Sequence, residues 1–195
     1  MMNYFNPATL STLTGLLACT LLLGGCSSNT VTPVPTVKQV DLQRFMGDWY
    51  VIANIPTFVE KGAHNALESY ALNADGTVAT TFTFNDGSFD GKLKTYNPTG
   101  FVQDTGSNAE WKMQFVWPFK AEYKIVYLAP DYSQTIIGRS KRDYIWIMAR
   151  TPQISEADYQ QLLQEAEKLG YDRSLIQKVP QQTMAQRSDP PKESR

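Results

Sequence analysis

Gly47-Asp48-Trp49-Tyr50 marks the point where this chain of 195 residues changes character. From Asp48 onward the dominant hydrophobic period is two. Trp111, Met113 and Phe115 alternate with Lys112 and Gln114. Tyr123, Ile125 and Tyr127 alternate with Glu122, Lys124 and Val126. Val78, Thr80, Phe82 and Phe84 share one phase, against Thr77, Ala79, Thr81 and Thr83. Leu93 is set against Lys92 and Lys94. Such alternation places apolar side chains on one face of an antiparallel strand and polar ones on the other.

Turn signals separate the runs: Asn73-Ala74-Asp75-Gly76, Asn85-Asp86-Gly87, Asn97-Pro98-Thr99-Gly100, Trp117-Pro118, Pro130-Asp131 and Lys141-Arg142-Asp143. The predicted strands are 48–55, 65–72, 77–84, 89–96, 109–116, 121–128, 134–139 and 143–150. Regular short strands joined by short turns define an all-β class, either a sandwich or an up-and-down barrel.

One segment changes period. Ser155-Glu156-Ala157-Asp158 reads as a helix start with Ser155 as N-cap. Tyr159, Leu162, Leu163, Ala166 and Leu169 then form an apolar stripe at helical spacing, and Gly170 supplies a C-cap. A single amphipathic helix after eight strands is expected to dock on their outer wall. A membrane-surface or partner role is the alternative use of the stripe. The run from 180 to 195 is rich in Gln, Pro, Lys and Ser and is read as a disordered tail.

The N-terminus carries its own signal. The first 25 residues contain no Asp, Glu, Lys, Arg or His, and Leu16 to Gly25 is apolar apart from Thr20. This run is shorter than the roughly 20 apolar residues a spanning helix needs, and it is read as a signal peptide, although the usual basic residues are missing. Leu23-Gly24-Gly25-Cys26 resembles the bacterial lipoprotein cleavage box, which makes Cys26 the candidate lipidation site. Leu16-Leu17-Ala18-Cys19 fits the same pattern, but Cys26 ends the apolar run. An ordinary secretion signal with an incidental cysteine is the other reading. Residues 26–40, with Ser27-Ser28-Asn29-Thr30 and Thr32-Pro33-Val34-Pro35-Thr36, read as a polar, proline-bearing tether. A diacylglyceryl group plus an N-acyl chain exceeds the single chain that binds membranes only marginally.

About 170 residues follow the signal peptide, enough for one domain with a core that needs no disulfide. Net charge is -1 with no long run of one sign, which gives no nucleic-acid surface. The inward phase is rich in large side chains: Phe82, Phe84, Leu93, Trp111, Met113, Phe115, Tyr123, Tyr127, Tyr144, Trp146 and Met148. In a closed eight-stranded barrel these would line a cavity for one small ligand, with tyrosine hydroxyls as polar tips. In a sandwich the same side chains would simply fill the core.

Three motifs decide between these architectures by resemblance. Asp41-Leu42 through Phe45-Met46-Gly47-Asp48-Trp49-Tyr50 resembles the first lipocalin signature. Leu128-Ala129-Pro130-Asp131-Tyr132 resembles the second. Asp143-Tyr144-Ile145-Trp146-Ile147-Met148-Ala149-Arg150-Thr151-Pro152 resembles the third. Together they cover residues 41 to 179 and are most similar to bacterial outer-membrane lipoproteins of the apolipoprotein D type. The resemblance implies an eight-stranded antiparallel up-and-down lipocalin barrel with one C-terminal α-helix packed outside. It implies that Gly47, Trp49 and Arg150 form the barrel's closed base, with Arg150 over Trp49. It also implies a lipid ligand, a fatty acid or lysophospholipid, with a membrane anchor at the periplasmic face of the outer membrane, and it makes a homodimer plausible.

No cofactor is expected, and enzyme readings have little to build on. His64, the only histidine, is expected on an open-end loop or rim, and no cysteine lies beyond Cys26 to act as a nucleophile. Asp75-Gly76 and Asp86-Gly87 are turn formers without Ca²⁺-loop spacing. Glu68, among apolar neighbours on the second strand, is read as outward-facing and solvated, with a place in the cavity lining as the alternative. Trp117 and Phe119 flank Pro118 in a loop; they pack locally, or they contact a membrane or a second subunit. A cavity enzyme acting on a lipid and a solidly packed interaction module are the competing functional classes.

Overall fold

The computed structural model describes residues 1–2 and 31–187. The signal peptide, Cys19, Cys26 and the first part of the tether lie outside the described residues, as does the tail from 188. The chain from Val31 onward contains a short helix α1 (Leu42–Phe45) followed by strands β1 (Gly47–Ile55), β2 (Ala63–Leu72), β3 (Thr77–Asp86), β4 (Leu93–Tyr96) and β5 (Thr99–Val102). Strands β6 (Glu110–Val116), β7 (Phe119–Leu128), β8 (Gln134–Gly138) and β9 (Ile145–Ala149) come next, then helix α2 (Glu156–Lys168) and a two-residue strand β10 (Gln177–Lys178). Every ladder is antiparallel, and β9 pairs back onto β1, so the sheet closes into a barrel.

The barrel has eight staves, and ten strands arise because one stave is interrupted and another gains a partner. β4 and β5 both pair with β3 in unbroken register, Phe82 opposite Tyr96 and Ala79 opposite Thr99. The Asn97-Pro98 break, expected as a turn, therefore lies within one stave; proline has no N–H to donate to a ladder. The actual reversal comes later, where Asp104 accepts from the backbone N–H of Gly106 and Ser107. β10 adds a short outer rung to β1.

Two apolar clusters follow from the strand period. One fills the base inside the barrel, with Phe45, Trp49, Val51, Tyr70, Trp111 and Met148 among its members. The other lies outside, where Tyr159, Leu162, Leu163 and Ala166 of α2 cover Tyr50, Ile52, Ile136, Ile145 and Ile147. Fully burying each such aliphatic side chain is worth roughly 1.5–3 kcal/mol, so the helix is held by its stripe. Ser155 caps it by accepting from the N–H of Asp158 at 3.0 Å, and Gly170 leaves it with φ 87°. The stretch Ile145–Ala149 is apolar without alternation because both of its faces are covered.

The base is closed by Arg150. Its guanidinium carbon stands 3.8 Å from the Trp49 ring centroid. Its NH1 donates to Asp48 O at 2.8 Å, and its NH2 donates to Arg44 O at 2.8 Å and Phe45 O at 3.0 Å. The Trp49 indole N–H also donates to Phe45 O, at 2.8 Å. Gly47 enters β1 at φ 90°, a conformation that costs glycine nothing, and a side chain there would meet the Arg150 guanidinium at 3.5 Å.

Both flanks are more ordered than the composition suggests. Val34 and Val40 of the expected tether are buried, and Val37 N–H donates to Ile125 O at 3.0 Å. In the expected tail, Gln181 donates to Val51 O and Ala66 O at 2.8 and 2.9 Å, and Gln182 N–H donates to Asn65 Oδ1 at 2.9 Å. Apolar valines on one side and amide side chains that satisfy strand carbonyls on the other override the polar composition of these stretches. Replacing Arg150 with alanine removes the stacking and four carbonyl bonds together, the fourth from Nε to Tyr132 O at 3.4 Å. Urea unfolding is expected to show a loss of about 2–4 kcal/mol, and Arg150→Lys, which lacks the planar fork, is expected to recover less than half of it.

Candidate functional site

Above the closed base the barrel encloses a cavity of about 430 Å³. Phe82, Tyr96, Pro98, Met113, Ala121, Tyr123, Tyr144 and Trp146 form much of its wall, and Phe115 and Val116 reach its rim. The loop between β1 and β2 contributes Thr57, Phe58, Val59 and Glu60. The floor is aromatic: Trp111 stacks on Tyr123 at 5.4 Å and meets Phe45 edge-on at 5.6 Å.

Of the sequence-predicted lining residues, Phe82, Met113, Phe115, Tyr123, Tyr144 and Trp146 border the cavity. Trp111 and Met148 are packed into the base cluster beneath it, and Phe84 is buried against Phe82 and Tyr96. Two expectations are corrected. Leu93 is 43% exposed and pairs with Asn85, on the outer phase; Lys94 and Tyr96 hold the inward phase, and Tyr96 lines the cavity. A lone leucine between two lysines gave too little pattern to set the phase. Tyr127 belongs to the outer cluster beneath α2, because the β7–β8 register shifts between Ile125 and Tyr127. A bulge of this kind turns every later side chain to the other face.

The largest correction concerns Glu68. It is only 8% exposed and lines the cavity, in phase with Ala66 and Tyr70. The Tyr70 hydroxyl donates to Glu68 Oε2 and lies 2.6 Å from the Tyr123 hydroxyl. A second carboxyl, Glu60, is buried in the lining loop. It accepts from Trp146 Nε1 and from the Thr57 N–H, each at 2.9 Å. The sequence signal for Glu60 was Thr57-Phe58-Val59-Glu60, a capping-box spacing in which the glutamate reaches back to the first residue's N–H. His64 stands near the start of β2, half-buried, edge-on to Phe89 at 5.0 Å.

Burial pushes the Glu68 carboxyl up to about 7; the Tyr70 bond opposes this and the nearby Glu60 charge adds to it. Burial raises Glu60 as well, against its bonds from Thr57 and Trp146. Burial also moves the hydroxyls of Tyr70 and Tyr123 well above the ordinary phenol range. These groups thus form a proton-holding polar cluster in an otherwise apolar chamber.

A closed antiparallel barrel with an apolar internal chamber and one outer helix defines a class of proteins that hold a small hydrophobic molecule inside a sheet. The chain belongs to the lipocalin family: residues 40–181 match the lipocalin-like domain model. It is 35% identical to temperature-induced lipocalin-1 of Arabidopsis thaliana over 167 residues, covering 81% of this chain and 85% of that protein. It is 31% identical to the outer membrane lipoprotein Blc of Escherichia coli K12 over 156 residues, covering 78% and 86%. Insecticyanin of the tobacco hornworm Manduca sexta shares the fold, with TM-score 0.60, 15% identity and coverage of 78% and 86%. Lobster apocrustacyanin A1 does so with TM-score 0.58, 15% identity and coverage of 77% and 92%.

The raised Glu68 value sets a pH dependence. The folded state holds this proton more tightly than the unfolded chain, so its stabilising contribution is complete below the unfolded carboxyl value. It is lost as pH rises through about 7. Thermal or urea unfolding is expected to show stability falling by about 2–3 kcal/mol between pH 5 and pH 8. Glu68→Gln should remove most of that slope and raise stability at pH 8.

Proposed function

We propose that this lipocalin binds a single-chain lipid, a fatty acid or lysophospholipid, in its barrel and stores or moves it for membrane maintenance under stress. The observation that carries this reading is the chamber of about 430 Å³ with a largely apolar wall, open away from the Arg150 base. A void of this size argues against a solidly packed interaction barrel. The outer membrane lipoprotein relatives and the Leu23-Gly24-Gly25-Cys26 box support an anchor on Cys26 at the periplasmic face of the outer membrane.

The rim supports direct exchange with a bilayer. Trp117 is 82% exposed and Phe119 77%, and they flank the β6–β7 turn next to the cavity residues Phe115 and Val116. Phe58 from the lining loop is exposed as well. Large apolar side chains grouped at a cavity mouth favour a membrane surface over water. A second copy seated on the same hairpin would instead appear as a dimer in sedimentation equilibrium.

One observation favours a second reading. Glu68, with its raised titration beside Tyr70, has the character of a general acid or base. A cavity enzyme would convert a bound lipid on prolonged incubation; the carrier reading expects intact lipid by mass spectrometry.

Displacement of a fluorescent fatty acid by lysophospholipid from the purified domain tests the carrier reading, which is lost if neither binds. The double variant Trp117→Ser/Phe119→Ser is expected to slow lipid uptake from vesicles severalfold while equilibrium affinity stays within twofold. Cys26→Ala is expected to move the protein from the membrane fraction to the soluble fraction. Undiminished membrane partitioning would rule out Cys26 as the anchor.

A further inference from the structure

The deep end of the chamber is chemically unlike its wall. Glu68 stands one inward step above Tyr70, and Tyr70 touches the aromatic floor, 5.9 Å from Trp111 and 5.8 Å from Phe45. Thr80 pairs with Tyr70 across the β2–β3 ladder, and Phe82 pairs with Glu68, so these four residues form one patch on the inner face. Thr80 is 3% exposed and lines the cavity, yet among the described residues its hydroxyl has no hydrogen-bond partner. A buried hydroxyl without a partner is left short of the bond it gave up on leaving water, and its residue lines the chamber. Glu68 accepts a bond from the Tyr70 hydroxyl. Among the described residues, neither Glu68 nor Glu60 has a Lys, Arg or His within ion-pair distance. Arg139 also lines the cavity, but its guanidinium is directed to Asp143 at 3.6 Å and the Tyr144 ring at 5.2 Å.

We propose that the inner end of the chamber is a subsite for an ammonium group, and that the barrel prefers an apolar-bodied amine inserted amine-first between Glu68 and the Thr80 hydroxyl. An ammonium carries donors only; the patch offers it the second carboxyl oxygen of Glu68, and beneath the surface a hydroxyl that can turn its lone pairs toward a cation. A cation here also screens Glu68 from Glu60, whose charges oppose one another. A carboxylate head in the same place would face two acids. Phe82, Met113 and Trp146 then sheath the hydrocarbon body. The inference rests on the reading that the chamber is the ligand site, and changes what sits at its inner end.

Calorimetric titration of the purified domain at pH 8 with decylamine, decanol and decanoate tests it. The expected order is amine, alcohol, carboxylate, with the amine at least tenfold tighter than the alcohol. Glu68→Gln is expected to bring the amine-to-alcohol ratio below two, and Thr80→Val to lower it at least threefold. Decanoate binding as tightly as decylamine in the unmodified protein overturns the proposal whether or not the variants fold. An unchanged ratio in folded Glu68→Gln overturns it as well. If the alcohol binds without an amine preference, the chamber remains a carrier and only the ammonium subsite fails. If none of the three binds, both readings fail.

Discussion

The guanidinium of Arg150 laid over the Trp49 ring is the contact on which the rest of the barrel depends. Through Asp48 O it joins the end of the last stave to the first, and through Arg44 O and Phe45 O it holds the helical turn that leads into that first stave. An arginine suits this place because its planar fork stacks and donates at once, which an ammonium cannot do. Sealing one end in this way means that side chains need not fill the whole barrel to exclude water. Packing fills the barrel only up to Trp111; above it the aromatic side chains line the wall and leave space between them. The cavity is thus a consequence of where the plug sits.

That space then imposes a second constraint. A largely apolar chamber that also contains Glu60, Glu68 and the Thr80 hydroxyl must satisfy those groups or keep them neutral. The protein answers in part with Tyr70, Tyr123, Trp146 and the Thr57 backbone. What is left over, a proton-hungry carboxyl beside a partnerless hydroxyl, gives the chamber a directional character that shape alone would not give. The mouth is the opposite in kind, with exposed Phe58, Trp117 and Phe119 suited to a lipid surface. The chamber thus runs from a greasy rim to a polar patch just above its aromatic floor.

The sequence was most legible where pattern and motif agreed. Long alternating runs such as Trp111-Lys112-Met113 set their own phase, and the stripe on α2 announced an outer wall to cover. Legibility failed where a single residue changed the count. The shift after Ile125 sends Tyr127 outward, and Leu93 had no apolar partner to fix its phase. At Glu68 charge and phase point opposite ways: a carboxylate argues for solvent, but Ala66 and Tyr70, two residues away on either side, face inward and carry it with them. The loop around Glu60 has no period to read, so its entry into the site came only through tertiary packing. Pro98 was read as a reversal when it interrupts a stave without turning it.

If the chamber above the Arg150 plug holds a ligand, native mass spectrometry of the protein purified from its own host, under conditions that retain bound molecules, reads it directly. The expected result is a one-to-one adduct that organic solvent extracts as an amphiphile with a single apolar body. A mass equal to the covalent protein alone, with no adduct, and no uptake when host lipids are added back would contradict it.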